Sequence, residues 1–133
     1  MKNGKERLTA NRMMKHLTDA LERGEDIGHY GRLVYAMIAR HFLPQDELVT
    51  LLMNDPSMNE ARAESLVDQV VSRGYSPPKR ERIVEWQAQQ DFPICPHIDD
   101  PDEANVYRDL AFPEDVYERI EEYHHEKAEA ASA

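Results

Sequence analysis

The stretch DIGHYGRLVYAMIARHF, residues 26–42, carries the side chains in this chain best suited to holding an anion. Wound as a helix at ~100° per residue, it places Arg32 about 60° to one side of His29 and Arg40 about 20° to the other. Ala36 falls between them and Ala39 about 20° beyond Arg32. Arginine's planar fork meets a phosphate through two parallel hydrogen bonds, and small residues between cations leave a shallow floor for a phosphate or a backbone. Gly31 permits close approach near the helix start, where unpaired N–H groups also favour negative charge. The opposite side gathers Val34, Tyr35, Ile38 and Phe42 as a core face. Two arginines and a histidine are equally compatible with an ordinary hydrated face, so chemistry alone leaves both readings open.

Other reactive residues cluster less well. CPHIDD holds Cys95, His97, Asp99 and Asp100, but structural zinc asks for four well-spaced Cys and His ligands, and an acidic proline-rich loop is the better reading. His124 and His125 are neighbours, about 100° apart on a helix, and read as a solvated face. As a nucleophile Cys95 would need a base, and His97 in the same loop is the sole candidate, with nothing to supply an oxyanion hole. Five glycines in the whole chain form no phosphate-cradling loop, and no carboxylate pair stands out from the acidic background. Trp86 and the tyrosines could stack on bases, although Trp86 beside Ile83 reads as core. The expectation is a protein with no catalysis of its own, no metal and no cofactor.

In composition, 26 acidic and 16 basic residues give a net charge of −10, which argues against a general nucleic-acid binder. The charge is unevenly spread. Residues 1–43 hold eight Lys/Arg against five Asp/Glu, whereas from Asp99 onward twelve acids face three bases. A phosphate-binding surface therefore belongs in the first third; the acidic excess fits either a functional surface or a salt-rich surrounding. No apolar run approaches the ~20 residues of a membrane span, no secretory leader is visible, and one cysteine excludes internal disulfides. A cytoplasmic protein is expected.

The elements that must position these residues are all helical. Met13, Met14, Leu17, Ala20 and Leu21 form the stripe of a first helix, stopped at Gly24. A second helix starts at Asp26 as N-cap and runs to about Leu43; Pro44 opens a third. Asn59 caps a fourth that ends at Gly74, and the prolines after Ser76 open a fifth. Residues 91–112 read as a long loop, which at that length is either functional or tied down. Pro113 opens a last helix bearing Val116, Tyr117, Ile120 and Tyr123. No strand pattern appears. The expectation is one domain over 1–133, an all-α bundle of about six helices, with 1–8 and 126–133 as frayed tails.

The order of the motifs GEDIGHYGRLVYAMIARHFL, DELVTLLMNDPSMNEARAESLVDQV, YSPPKRERI, FPICP and NVYRDL, across roughly residues 12–110, resembles the C-terminal domain of the large, non-catalytic subunit of archaeal and eukaryotic DNA primase. His29, Gly31 and Arg32 match that family's His-x-Gly-Arg element, and Arg40 falls where it often has a lysine. Tyr75, Pro77 and Pro78 match its Tyr-x-Pro-Pro element; Asn105, Tyr107 and Arg108 match its Tyr-Arg element. The resemblance implies contact with the 5′-triphosphate end of a primer and nearby template. The family's four cluster cysteines are not kept. Met13 and Arg80 stand near two of those positions and only Cys95 remains, so no iron–sulfur cubane can be held, and apolar packing by Met13 and Trp86 would replace it.

The sequence thus leads to a non-catalytic accessory domain of primase-like fold. His29, Arg32 and Arg40 would hold a triphosphate or phosphate backbone, with Lys15 and Tyr30 nearby and Lys79 and Arg80 as a second edge. Its ligand would be a DNA template/primer or an RNA primer end, and its partner a separate catalytic primase or primase–polymerase. The alternative is a protein-interaction module that docks a basic partner through its acidic C-terminal third.

Overall fold

Side-chain caps and left-handed glycines fix the boundaries of the Arg12–Glu22 and Glu60–Ser72 helices at both ends. The structure, a computed structural model, describes residues 3–100 and 102–118. It contains α1 (Gly4–Leu8), α2 (Arg12–Glu22), α3 (Gly28–Ala39), α4 (Gln45–Leu52), α5 (Glu60–Ser72), α6 (Arg80–Gln87) and α7 (Val106–Asp109), with helix again over 114–118. No strand occurs among the described residues, and the all-α reading holds. Asn3, Asn11 and Asn59 each accept from the backbone N–H three residues on, at 2.8, 2.9 and 2.9 Å. An asparagine in that position stabilises a helix start by ~1 kcal/mol. Gly24 and Gly74 sit at φ +77° and +61° just past α2 and α5, a conformation that stops a helix without strain only for glycine.

Three boundary expectations are corrected. Residues 3–8 are not a frayed tail: α1 forms there, and Leu8 is fully buried in the core. Pro77 and Pro78 precede α6 rather than forming its first turn, and Lys79 holds the N-cap position. The loop over 91–112 contains the short α7 and is pinned from several sides. Gln87 accepts from the Cys95 N–H at 2.6 Å, His16 Nε2 meets the Pro93 carbonyl at 2.8 Å, and Asn11 donates to Asp109 at 3.0 Å. Ile94, Val106 and Leu110 enter the core, so burial offsets the entropy of ordering that loop. The expected tail at 126–133 and the positions of Ile120, Tyr123, His124 and His125 lie outside the described residues.

One continuous apolar cluster runs from Leu8 to Val116, and α3 is its axis. That helix packs against α2, α4, α5 and α6, which leaves little of its circumference to water. Val34, Tyr35, Ile38 and Ala39 belong to the main cluster, while Ala36 and Met37 meet Val70 of α5. The expected alanine floor is therefore not a surface. Ala36 and Ala39 are both fully buried, because small side chains on α3 let neighbouring helices approach closely.

The start of α3 is held by polar contacts rather than by a local cap. Its N-cap position is Ile27, which has no capping side chain, so Asp26 is not the N-cap. Gln90, beyond the end of α6, accepts from the Tyr30 N–H at 2.9 Å and donates to the carbonyls of Ile27 and Phe92. A Cβ on Gly28, at φ +80°, would stand 2.5 Å from the Gln90 side chain. Next to this cap lies a buried ion pair: Arg32 Nη1 donates to Asp55 at 3.1 Å and to Asp26 at 3.0 Å. Asp55 is wholly buried and also accepts from the N–H groups of Ile27 and Ser57, at 3.0 and 2.8 Å.

Removing one member of a buried pair strands the other charge, at a cost of about 3–5 kcal/mol. Arg32→Ala and Asp55→Ala are each expected to lower stability by that order in urea unfolding, and the double variant by less than the sum. The Asp26 carboxyl is held below its ordinary value of 3.8 by the Ser57 hydroxyl, the Gly28 N–H and Arg32. Its contribution is thus present above that value and lost as pH falls through the depressed one. Asp26→Asn should flatten the acid limb of stability against pH; an unchanged limb would remove Asp26 from the account.

Candidate nucleic-acid interface

The N-terminal end of α3 presents two adjoining surfaces. The first is an open groove of about 350 Å³ between α3 and α5, lined by His29, Arg32, Met58, Arg62, Ser65 and Gln69 among others. Three of its lining side chains are basic and none is acidic, in a chain of net charge −10. The helices divide the work. His29 is exposed on the first turn of α3, and Arg62 comes from the first turn of α5, where its guanidinium also donates to the Ser57 carbonyl. Arg32 lines the groove while its Nη1 is committed to Asp26 and Asp55. Those two carboxylates offset its charge, so Arg62 and His29 are the groups that would draw an anion.

The second surface is a run of rings and cations. His29 meets Tyr30 edge-on with centroids 5.1 Å apart, Tyr30 stacks on Trp86 at 5.7 Å, and Arg82 lies over Trp86 at 5.9 Å. Tyr30 and Trp86 are half-buried, and the Tyr30 hydroxyl donates to Gln89 at 3.1 Å. Trp86 is therefore not simply core, as its spacing with Ile83 predicts; one edge of it faces outward beside an arginine. Partly exposed aromatics interleaved with cations are the kind of surface on which unpaired bases stack.

Only His29 and Arg32 of the seven expected site residues share the groove, and Tyr30 joins them through the ring contacts. Arg40 turns the other way, donating from Nη2 to the Tyr75 carbonyl at 3.1 Å. Lys15 pairs with Asp19 at 2.8 Å on the outer face of α2. Arg80 donates to the Ile98 carbonyl and helps hold the 91–112 segment, while Lys79 is exposed at the start of α6. The picture of one helix face bearing three exposed cations is thus corrected. A helical wheel assumes that the polar side faces solvent, and α3 has neighbours on that side too.

Two groove and platform residues escaped the sequence reading. Arg62 is the sole base on α5 among Glu60, Glu64 and Asp68, an isolated cation on an otherwise acidic helix. Arg82 stands one turn before Trp86, the i,i+4 spacing at which side chains on a helix meet. Both signals were present, but neither says which neighbouring helix the residue will face.

The segments matched to the primase resemblance meet in part: the Tyr107 hydroxyl donates to the Pro77 carbonyl. Met13 and Cys95 lie in the same apolar cluster. Among the described residues no three His, Cys, Asp or Glu side chains are placed to hold a metal ion, and no helix is long and apolar enough to cross a membrane. In comparisons with known proteins, no family model, curated protein or solved structure matches the chain.

Burial pushes the Cys95 thiol up to about 11, with the His97 N–H and Arg80 working against that rise. At neutral pH the group is a thiol, not a thiolate, and 2% of the residue is exposed. Cys95 should react with a chromogenic disulfide reagent only as fast as the chain unfolds. Rapid labelling of the native protein at pH 7 would contradict the buried placement.

Proposed function

We propose that the chain is a non-catalytic nucleic-acid-binding domain, which holds a 5′-phosphorylated end or backbone phosphate in the α3–α5 groove and stacks adjacent bases against the Tyr30–Trp86 edge. The acid-free groove carries this reading. A chain with 26 acidic residues has kept carboxylates off the lining of this concavity and placed His29, Arg32 and Arg62 there. The ring-and-cation run beside it supplies the sequence-tolerant half of single-strand binding. The motif order shared with the primase large subunit suggests the setting: an accessory domain beside a separate catalytic primase or primase–polymerase, with the triphosphate end of a new strand as ligand.

Within this reading Arg32 is a positioning residue. Its guanidinium is anchored by two carboxylates, so it shapes the groove wall and leaves the direct contacts to Arg62 and His29. The alternative, docking of a basic partner on the acidic C-terminal third, has less to draw on. Asp102 pairs with Arg108, Asp109 takes the Asn11 amide, and Asp100 and Glu103 both lie within 3.8 Å of Arg12. Those carboxylates are already engaged within the chain.

The test is titration of a fluorescent single strand and a template–primer, with and without a 5′-triphosphate, at low and high salt. The sole tryptophan, Trp86, provides an intrinsic second signal. Arg62→Ala with His29→Ala should weaken binding by about tenfold or more, as expected for a lost charge-assisted contact, with the circular dichroism unchanged. Unaltered affinity in that double variant, or no binding at low salt where phosphate contacts are strongest, would overturn the proposal.

A further inference from the structure

A second concavity has the opposite character. Between α4 and α5 lies a trough of about 510 Å³ whose walls carry Asp46, Glu60, Glu64 and Asp68, with no basic side chain in its lining. Glu60, Glu64 and Asp68 follow one another at four-residue intervals and form a single ridge along α5. None of the four has a cationic partner among the described residues. Like charges at that spacing repel, and nothing within the described chain relieves them. Between the carboxylates the lining mixes Gln45 and Thr50 with three apolar side chains: Val67 is buried, Val49 half-buried, and Met53 is 41% exposed at its edge. Val71, one turn beyond Val67 on α5, is 39% exposed.

The geometry points to the α4–α5 trough as the docking site for a basic amphipathic helix of another protein. Apolar side chains of that helix would sit against Val49, Met53 and Val67, and its flanking lysines or arginines would answer Asp46 and the Glu60–Glu64–Asp68 ridge. A trough between two packed helices suits a third helix laid along it, read through anchors at i, i+3 or i+4, and i+7. Charge complementarity selects the occupant. A second copy would bring the same carboxylates to a twofold contact and be repelled. A metal ion lacks a converging set of ligands. This inference does not depend on nucleic-acid binding, since Arg62 faces the other side of α5, toward α3.

The test uses the full chain and a fluorescein-labelled peptide of about five helical turns, with leucines on one face and lysines flanking them. The control has the same composition scrambled so that no face is apolar. The amphipathic peptide should bind at least about tenfold more tightly than the scrambled one, with affinity falling as salt rises. Glu64→Lys with Asp68→Lys, and separately Met53→Ser, should each cost about tenfold, whereas Arg62→Ala should leave peptide binding unchanged. All of these side chains are exposed, and the charge reversals remove a repulsion, so melting temperatures should hold or rise in the lysine variant. Equal binding of the scrambled peptide, or full affinity in either trough variant, would overturn the proposal. So would a dimer in sedimentation that Met53→Ser dissolves, which would give the trough to a second copy.

Discussion

The carboxylate of Asp55 is the constraint on which much of the molecule depends. It lies in the turn between α4 and α5, fully out of water, and it reaches back to the N–H of Ile27 and to Arg32 at the start of α3. A buried carboxylate without partners is costly enough that the backbone must bring donors to it. Meeting that demand fixes where the α4–α5 turn sits relative to α3, and through it the direction from which α5 crosses the central helix. Asp26 and Ser57 extend the same network outward, joined to each other at 2.6 Å. Gln90 closes it from the side of α6. Two segments distant in sequence, 55–57 and 90–92, are thereby held around the first turn of α3.

That arrangement also decides what the surface offers. Cations that look available on a helical wheel are drawn inward to satisfy acceptors: Arg32 by two carboxylates, Arg40 by the Tyr75 carbonyl, Arg80 by that of Ile98. What remains is a segregated surface. Helix α5 has Arg62 toward the α3 groove and the Glu60–Glu64–Asp68 ridge toward α4, so one element separates an acid-free concavity from a base-free one. Charge separation on this scale, across a single helix diameter of ~10–12 Å, is a local matter that the net charge of the whole chain does not reveal.

The acid-free groove and the aromatic edge share a structural origin. Both begin at the Gly28–Tyr30 turn, where the remote Gln90 cap leaves His29 outward and sets Tyr30 against Trp86. Because the cap comes from the residues that follow α6, movement of that helix would displace both surfaces together. A ligand that touches His29 and Trp86 at once would in turn stiffen the α3–α6 contact.

The helical content was legible in the residues themselves: the Met13–Leu21 stripe, the Asn59 cap and the stops at Gly24 and Gly74 are local, and the chain obeys them. That His29 and Arg32 lie together at the start of α3 was legible too, since two polar residues at the start of an apolar helix stand out. Their roles were not. Periodicity assigns each helix one inward face, and α3 has almost none outward, because four helices pack around it. Whether an arginine meets a phosphate or an aspartate depends on residues such as Asp55 and Gln90, which lie 23 and 60 positions from the groups they bind. Sequence-local physics determined which segments would be helical and where they would end. Only the tertiary structure decided which charges were consumed in holding those segments together and which were left at the surface, because that choice is made by desolvation, and desolvation is a property of packing.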